Sequence, residues 1–87
     1  TSKKVYIIGQ VSKPGTLTYT PSMSVVEAIT LAGGFTALAA KNDTTVTRLE
    51  RGEKTTTKIP VADISEGKAK NVYVRPGDII SVPERIF

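Results

Sequence analysis

Short apolar runs alternate with turn residues along the chain, and the period of those runs changes twice. Val5-Tyr6-Ile7-Ile8, closed by Gly9, is a β-branched and aromatic run that predicts a buried strand. Lys13-Pro14-Gly15 comes next. Pro14 and Gly15 suit the two central positions of a type II turn, because proline holds φ near about −65° and glycine accepts positive φ. Residues 17–20 then alternate apolar and hydroxyl side chains, as a half-buried second strand does, until Pro21 ends the ladder.

The period then changes to that of a helix. Ser24-Val25-Val26-Glu27 matches a capping box, with Ser24 at the N-cap and Glu27 reaching back to its N–H. Val25, Ala28, Ile29 and Ala32 form one helical stripe, about two and a half turns long, of side chains small enough to lie close against a sheet. Gly33-Gly34 supplies the left-handed terminator, and Phe35 is expected to fill the corner behind it.

Period two returns in residues 43–50 and 53–61, both dense in β-branched side chains, with Arg51-Gly52 between them, which predicts a second hairpin. Thr55, Thr57, Ile59 and Val61 share one parity, whereas Thr56 and Lys58 should face water. Val46 and Leu49 have opposite parity, so either a bulge intervenes or one of them lies on the outer face. Residues 61–64 are too short to assign and 65–71 form a polar loop. Residues 72–74 and 79–82 predict strands split by Arg75-Pro76-Gly77-Asp78, a second Pro-Gly turn that Asp78 is expected to cap through an Asx-type hydrogen bond, and Pro83 closes the last strand. This order has no βαβ alternation long enough for a doubly wound sheet. It predicts an α+β fold of the β-grasp type, a mixed sheet with one main helix on one face.

Length and composition narrow the chemistry. At 87 residues the chain should form one domain over 1–87, burying about 60–65% of its unfolded surface, with no room for two lobes around a deep cleft. It has no Cys and no His. The usual zinc sites, haem ligation, thiol nucleophiles, Ser-His-Asp triads and imidazole acid–base steps are therefore unavailable. No metal and no cofactor is expected, and the chain reads as non-enzymatic. Its apolar runs fall short of the roughly 20 residues that span a bilayer, so no membrane span is expected in this segment. The start Thr1-Ser2-Lys3-Lys4 has neither an initiator Met nor a signal-peptide core, and the chain reads as a segment of a longer protein.

Candidate sites are few. The glycine segments lack phosphate-loop spacing, and Gly33-Gly34 ends a helix where a phosphate cradle would open one. Glu27, Asp43, Glu50, Glu53, Asp63, Glu66, Asp78 and Glu84 are scattered, with no spacing that assigns a catalytic pair. The net charge of +4 arises from cations that interleave with acids, Glu50, Glu53 and Glu66 above all. No aromatic platform accompanies them, which argues against nucleic acid. A solvated surface that protects strand edges is the plainer reading. The sharper one is a patch attractive to an acidic polymer, carried by Lys13, Arg48, Arg51, Lys54 and Lys58, which parity and charge mark as exposed.

Four blocks in order carry a resemblance: Val5-x-Ile7-x-Gly9-x-Val11-x-x-Pro14-Gly15, Ala32-Gly33-Gly34-Phe35, Val46-x-Arg48-Leu49, and Val74-x-Pro76-Gly77-Asp78-x-Ile80-x-Val82-Pro83. Together they resemble the soluble-ligand-binding β-grasp (SLBB) domain, in the version found in bacterial polysaccharide export proteins of the outer membrane (the Wza-like family), and residues 82–87 are similar to the tail of such domains there. The resemblance implies a periplasmic module of a protein associated with the outer membrane, assembled into rings around a channel for capsular polysaccharide or exopolysaccharide. Its partners would be the polysaccharide, neighbouring domains and subunits of a homo-oligomeric export complex, and an inner-membrane polysaccharide co-polymerase. The matched residues Gly9, Pro14, Gly15, Gly33, Gly34, Pro76, Gly77 and Asp78 read as turn determinants, not as a sugar site. The alternative implied by related SLBB domains is a module for a small soluble ligand or for DNA, as in competence receptors. A DNA-binding module would lose affinity steeply with salt.

Overall fold

The strand that closes the chain lies in the middle of the sheet. The computed structural model describes residues 3–85. Along them run β1 (Lys4–Gly9), β2 (Gly15–Thr18), α1 (Val25–Leu31), a 3-10 turn (Lys41–Asp43), β3 (Thr44–Glu50), β4 (Glu53–Ile59), α2 (Val61–Ser65) and β5 (Ile79–Val82). The strands form one five-stranded sheet in the order β2-β1-β5-β3-β4. β1 and β5 run parallel and the other neighbours antiparallel, which is the β-grasp arrangement expected from the element order.

One face of the sheet carries the core. Val5 and Ile7 of β1, Val46 of β3, Ile59 of β4, and Ile80 and Val82 of β5 are buried against Val25, Ala28, Ile29 and Ala32, the helical stripe anticipated from spacing. Each such burial of a Val or Ile contributes about 1.5–3 kcal/mol. The alanines of the stripe, Ala28 and Ala32, are buried in this core. The opposite face is left open among the described residues, and Tyr6, Ile8 and Leu49 are exposed on it.

Local signals set both ends of α1. The Ser24 hydroxyl accepts the Glu27 N–H (3.0 Å), the serine half of the capping box. At the other end Gly33 N–H donates to Thr30 O (3.0 Å) and Gly34 N–H to Ile29 O (2.9 Å), a Schellman pair. The helix is seven residues long, about two turns, slightly shorter than expected. Gly33 (φ +89°) is needed sterically as well, since a Cβ there would lie 2.8 Å from Ser12 Cβ. Phe35 packs at the core margin, with Lys41 Nζ 5.7 Å from its ring centre.

Three expectations are corrected. Pro14-Gly15 does not form a type II hairpin turn. Gly15 (φ +150°) is the first residue of β2 and pairs with Ile7, and the link before it is held by Ser12 N–H to Gly34 O (3.0 Å) and Lys13 N–H to Ala32 O (2.8 Å). Bonds to the distant end of α1 override the local turn preference. The strand expected to run to residue 61 stops at Ile59, because Pro60 has no N–H for the ladder; Val61 instead opens α2 with its side chain buried. Asn42 caps α2 from outside, its side-chain oxygen accepting the Asp63 N–H (3.2 Å). Residues 72–74 do not join the sheet, since β5 and β4 occupy both sides of β3. They make one bridge to the segment before α1, through Val25 N–H to Val72 O (2.8 Å) and Val74 N–H to Met23 O (2.9 Å). Of the two alternatives left by the opposite parity of Val46 and Leu49, the second holds: β3 pairs with β4 without a bulge, and Leu49 lies on the outer face, 69% exposed.

Gly9 is where the sheet is least tolerant. It has φ +98°, and a Cβ there would lie 2.1 Å from Val82 O on the neighbouring strand. Gly52 also has positive φ (+81°) but open space around it. Urea denaturation should therefore show Gly9→Ala losing about 4 kcal/mol or more, against about 1–2 kcal/mol for Gly52→Ala. Equal losses would contradict the close contact between β1 and β5.

Candidate functional site

The turn into β5 is tied on both sides. Pro76 and Gly77 (φ +90°) occupy the central positions of a type II turn closed by Asp78 N–H to Arg75 O (3.1 Å), as their sequence predicts. Gly77 N–H donates to Lys4 O (2.7 Å) and Tyr6 N–H to Asp78 O (2.9 Å), which fastens the turn to β1. The Asp78 side chain is 1% exposed. It caps its own turn by accepting the Arg75 N–H (2.9 Å), and it also receives a guanidinium from β3: Arg48 Nε to Oδ1 (3.0 Å) and Nη2 to Oδ2 (2.8 Å). The bidentate fork matches the two carboxylate oxygens and satisfies a charge that would otherwise be buried unpaired. Hydrogen bonding to Asp78, together with the negative charges of Asp78 and Glu50, raises the pKa of Arg48 above its ordinary value against the opposing effect of partial burial.

Beyond the reach of α1, the β3–β4 hairpin and the segment around Val72 enclose a shallow groove. Its volume is about 150 Å³, and it is lined by Val46, Arg48, Glu50, Thr55, Thr57, Ile59 and Val72. Register explains the lining, since Val46 faces Thr57, Arg48 faces Thr55 and Glu50 faces Glu53 across the hairpin, all on the inner face. Val46, Ile59 and Val72 make an apolar floor. Arg48, Glu50 and the two threonines make the walls, and Arg75 Nη1 pairs with Glu50 at 3.3 Å. An enclosed small-molecule pocket is usually about 300–1,000 Å³, so this groove holds a piece of a larger ligand and does not engulf a whole one. A wider open trough of about 420 Å³ lies between α1 and α2, lined by Ser24, Val26, Glu27, Ile64, Ser65, Ala69 and Asn71.

The five basic residues marked in the sequence do not form one surface. Arg48 was expected to be exposed, but it shares parity with buried Val46, lies on the inner face and is bound to Asp78. Lys54 and Lys58 are on the outer face beside Leu49 and Thr45, and Lys58 is paired with Asp43 (2.8 Å). Arg51 sits in the hairpin turn with φ +53°. Lys13 lies beyond β1 at the other end of the sheet, and Lys58 is three strand spacings, roughly 14 Å, from the β1 row. Acids do interleave with the cations as expected: Arg48–Asp78, Lys58–Asp43, Lys68–Glu66 and Arg75–Glu50 are ion pairs. Among the described residues no cluster of three or more His, Cys, Asp or Glu could hold a metal, and no helix is long and apolar enough to cross a membrane. The tail residues 86–87 lie outside the described residues.

The groove residues Glu50, Thr55, Thr57 and Val72 were not singled out from sequence. Parity alone places Thr55 and Thr57 on the face of Ile59, but it does not show that the helix leaves them uncovered. A family model described as "SLBB domain" matches residues 3–82, nearly the whole chain. Comparison with curated proteins finds no match.

The two kinds of ion pair should separate on mutation. Arg48→Met leaves the buried Asp78 carboxylate without its guanidinium and should cost about 2–4 kcal/mol in urea denaturation. Lys58→Met breaks an exposed pair and should cost less than about 0.5 kcal/mol. A loss below that level for Arg48→Met would show that the pair does not hold the fold.

Proposed function

The chain belongs to the SLBB domain family, and from that premise we propose that it is a non-enzymatic module of a bacterial capsular or exopolysaccharide export protein, contacting the exported polysaccharide and packing against its neighbours in the assembly. In this reading the module is periplasmic and its parent protein is associated with the outer membrane. The observation that carries it is the hairpin groove, which is small and walled by hydroxyl and charged groups over an apolar floor. A long chain can lie along such a groove one unit at a time, whereas a small ligand would gain too little enclosure.

The assembly role draws on the uncovered sheet face. Tyr6, Ile8 and Leu49 are 43%, 51% and 69% exposed there, beside the threonines of β3 and β4. This face would meet neighbouring domains and subunits of a homo-oligomeric export complex, and an inner-membrane polysaccharide co-polymerase would be a further partner. A DNA-binding role is less well supported, because four of the cations are already paired with acids and the rest are dispersed.

Backbone amide shifts during titration with capsular polysaccharide test the glycan contact. The reading expects saturable shifts in β3, β4 and residue 72. No shift with acidic or neutral polysaccharide would overturn the glycan contact while leaving the packing role standing.

A further inference from the structure

We propose that the hairpin groove selects neutral, hydroxyl-bearing sugar rings and disfavours acidic ones, an inference that rests on the reading of the chain as a polysaccharide-contacting module. Charge points this way first. Around the groove the positive groups are Arg48 and Arg75, and both are engaged, Arg48 by Asp78 at 2.8 Å and Arg75 by Glu50 at 3.3 Å. Glu53 stands opposite Glu50 in the hairpin register and adds a carboxylate at the mouth. An incoming uronate would meet two carboxylates, while the cation in the lining, Arg48, is already paired, so its approach to the groove is repulsive in sign.

Hydrogen-bonding capacity points the same way. The Thr47 and Thr56 hydroxyls on the outer face bond each other at 3.2 Å. Those of Thr55 and Thr57, which line the groove, have no partner among the described residues. Each can donate and accept, and so can a sugar hydroxyl. The Arg48 fork spends only part of its donor set on Asp78, and its remaining N–H groups are donors that a hydroxyl oxygen can use without bringing charge. Val46, Ile59 and Val72 offer an apolar floor to the C–H face of a ring, and a volume of about 150 Å³ suits a single unit. Other cations without an ion pair among the described residues, among them Lys13, Arg51, Lys54 and Lys70, are not part of the groove's lining.

The test uses the 87-residue chain with two probes, maltoheptaose and an oligogalacturonate of equal length, tracked by amide shifts at low and at physiological salt. The expected result is saturable shifts in β3, β4 and residue 72 with maltoheptaose, nearly independent of salt, and affinity for the oligogalacturonate lower by about fivefold or more. Thr55→Val combined with Thr57→Val keeps β-branched shape at exposed positions. It should weaken maltoheptaose binding by about fivefold or more, from the loss of at least one net hydrogen bond, with the remaining spectrum unchanged. Tighter binding of the acidic probe, with affinity falling steeply in salt and shifts at Lys13, Arg51 or Lys54, would overturn this inference and leave the glycan-contact reading intact. Unchanged maltoheptaose binding by the double variant would remove the groove as the site. Binding of neither probe would overturn both.

Discussion

The contact on which the rest of the structure depends is the one between Arg48 and Asp78. β5 is the last strand in the chain yet it fills the centre of the sheet, between β1 in parallel and β3 in antiparallel register. Its entry must therefore be fixed from both sides. Backbone bonds from Lys4 and Tyr6 hold the turn against β1, and the Arg48 guanidinium holds it against β3. Burying a carboxylate is costly unless its lone pairs are met, and here two guanidinium nitrogens and a backbone N–H meet them. No buried side-chain polar atom is left unsatisfied among the described residues.

That contact also shapes the surface. Holding Arg48 inward brings a cation to the inner face of the hairpin but neutralises it there, and the Arg75–Glu50 pair does the same at the mouth. The groove left between the hairpin and the Val72 segment is consequently polar without being basic. A domain with a net charge of +4 offers its concave surface in a form suited to hydroxyls, while its unpaired cations are spread where they keep strand edges and loops solvated.

The features legible in the sequence were mostly local. Ser24 at the helix start, Gly33-Gly34 at its end and Pro76-Gly77 before β5 act through bonds to near neighbours, and each appears where its residues place it. Pro14-Gly15 looks equally local, but its loop is held by carbonyls of Ala32 and Gly34, which no local rule contains. Residues 72–74 have strand composition, and only the sheet order shows that no vacant edge beside β3 remains for them. Arg48 and Asp78 are 30 residues apart, so no spacing rule connects them. A signal for Arg48 was nevertheless present: it shares strand parity with Val46, and a cation on the buried parity of a strand calls for a buried partner. The groove was hidden for a related reason, since Thr55 and Thr57 were placed on the correct face while the extent of the helix over that face depends on tertiary packing.

A double-mutant cycle across Arg48 and Asp78, read by urea denaturation of Arg48→Met, Asp78→Asn and the combined variant, tests the central claim most directly. If the clasp organises the fold, the double variant should be more stable than the sum of the single losses implies, with a coupling of about 2 kcal/mol or more, because removing both partners no longer strands a buried charge. Additivity within about 0.5 kcal/mol would contradict the claim and return Arg48 to the set of residues free to engage a ligand.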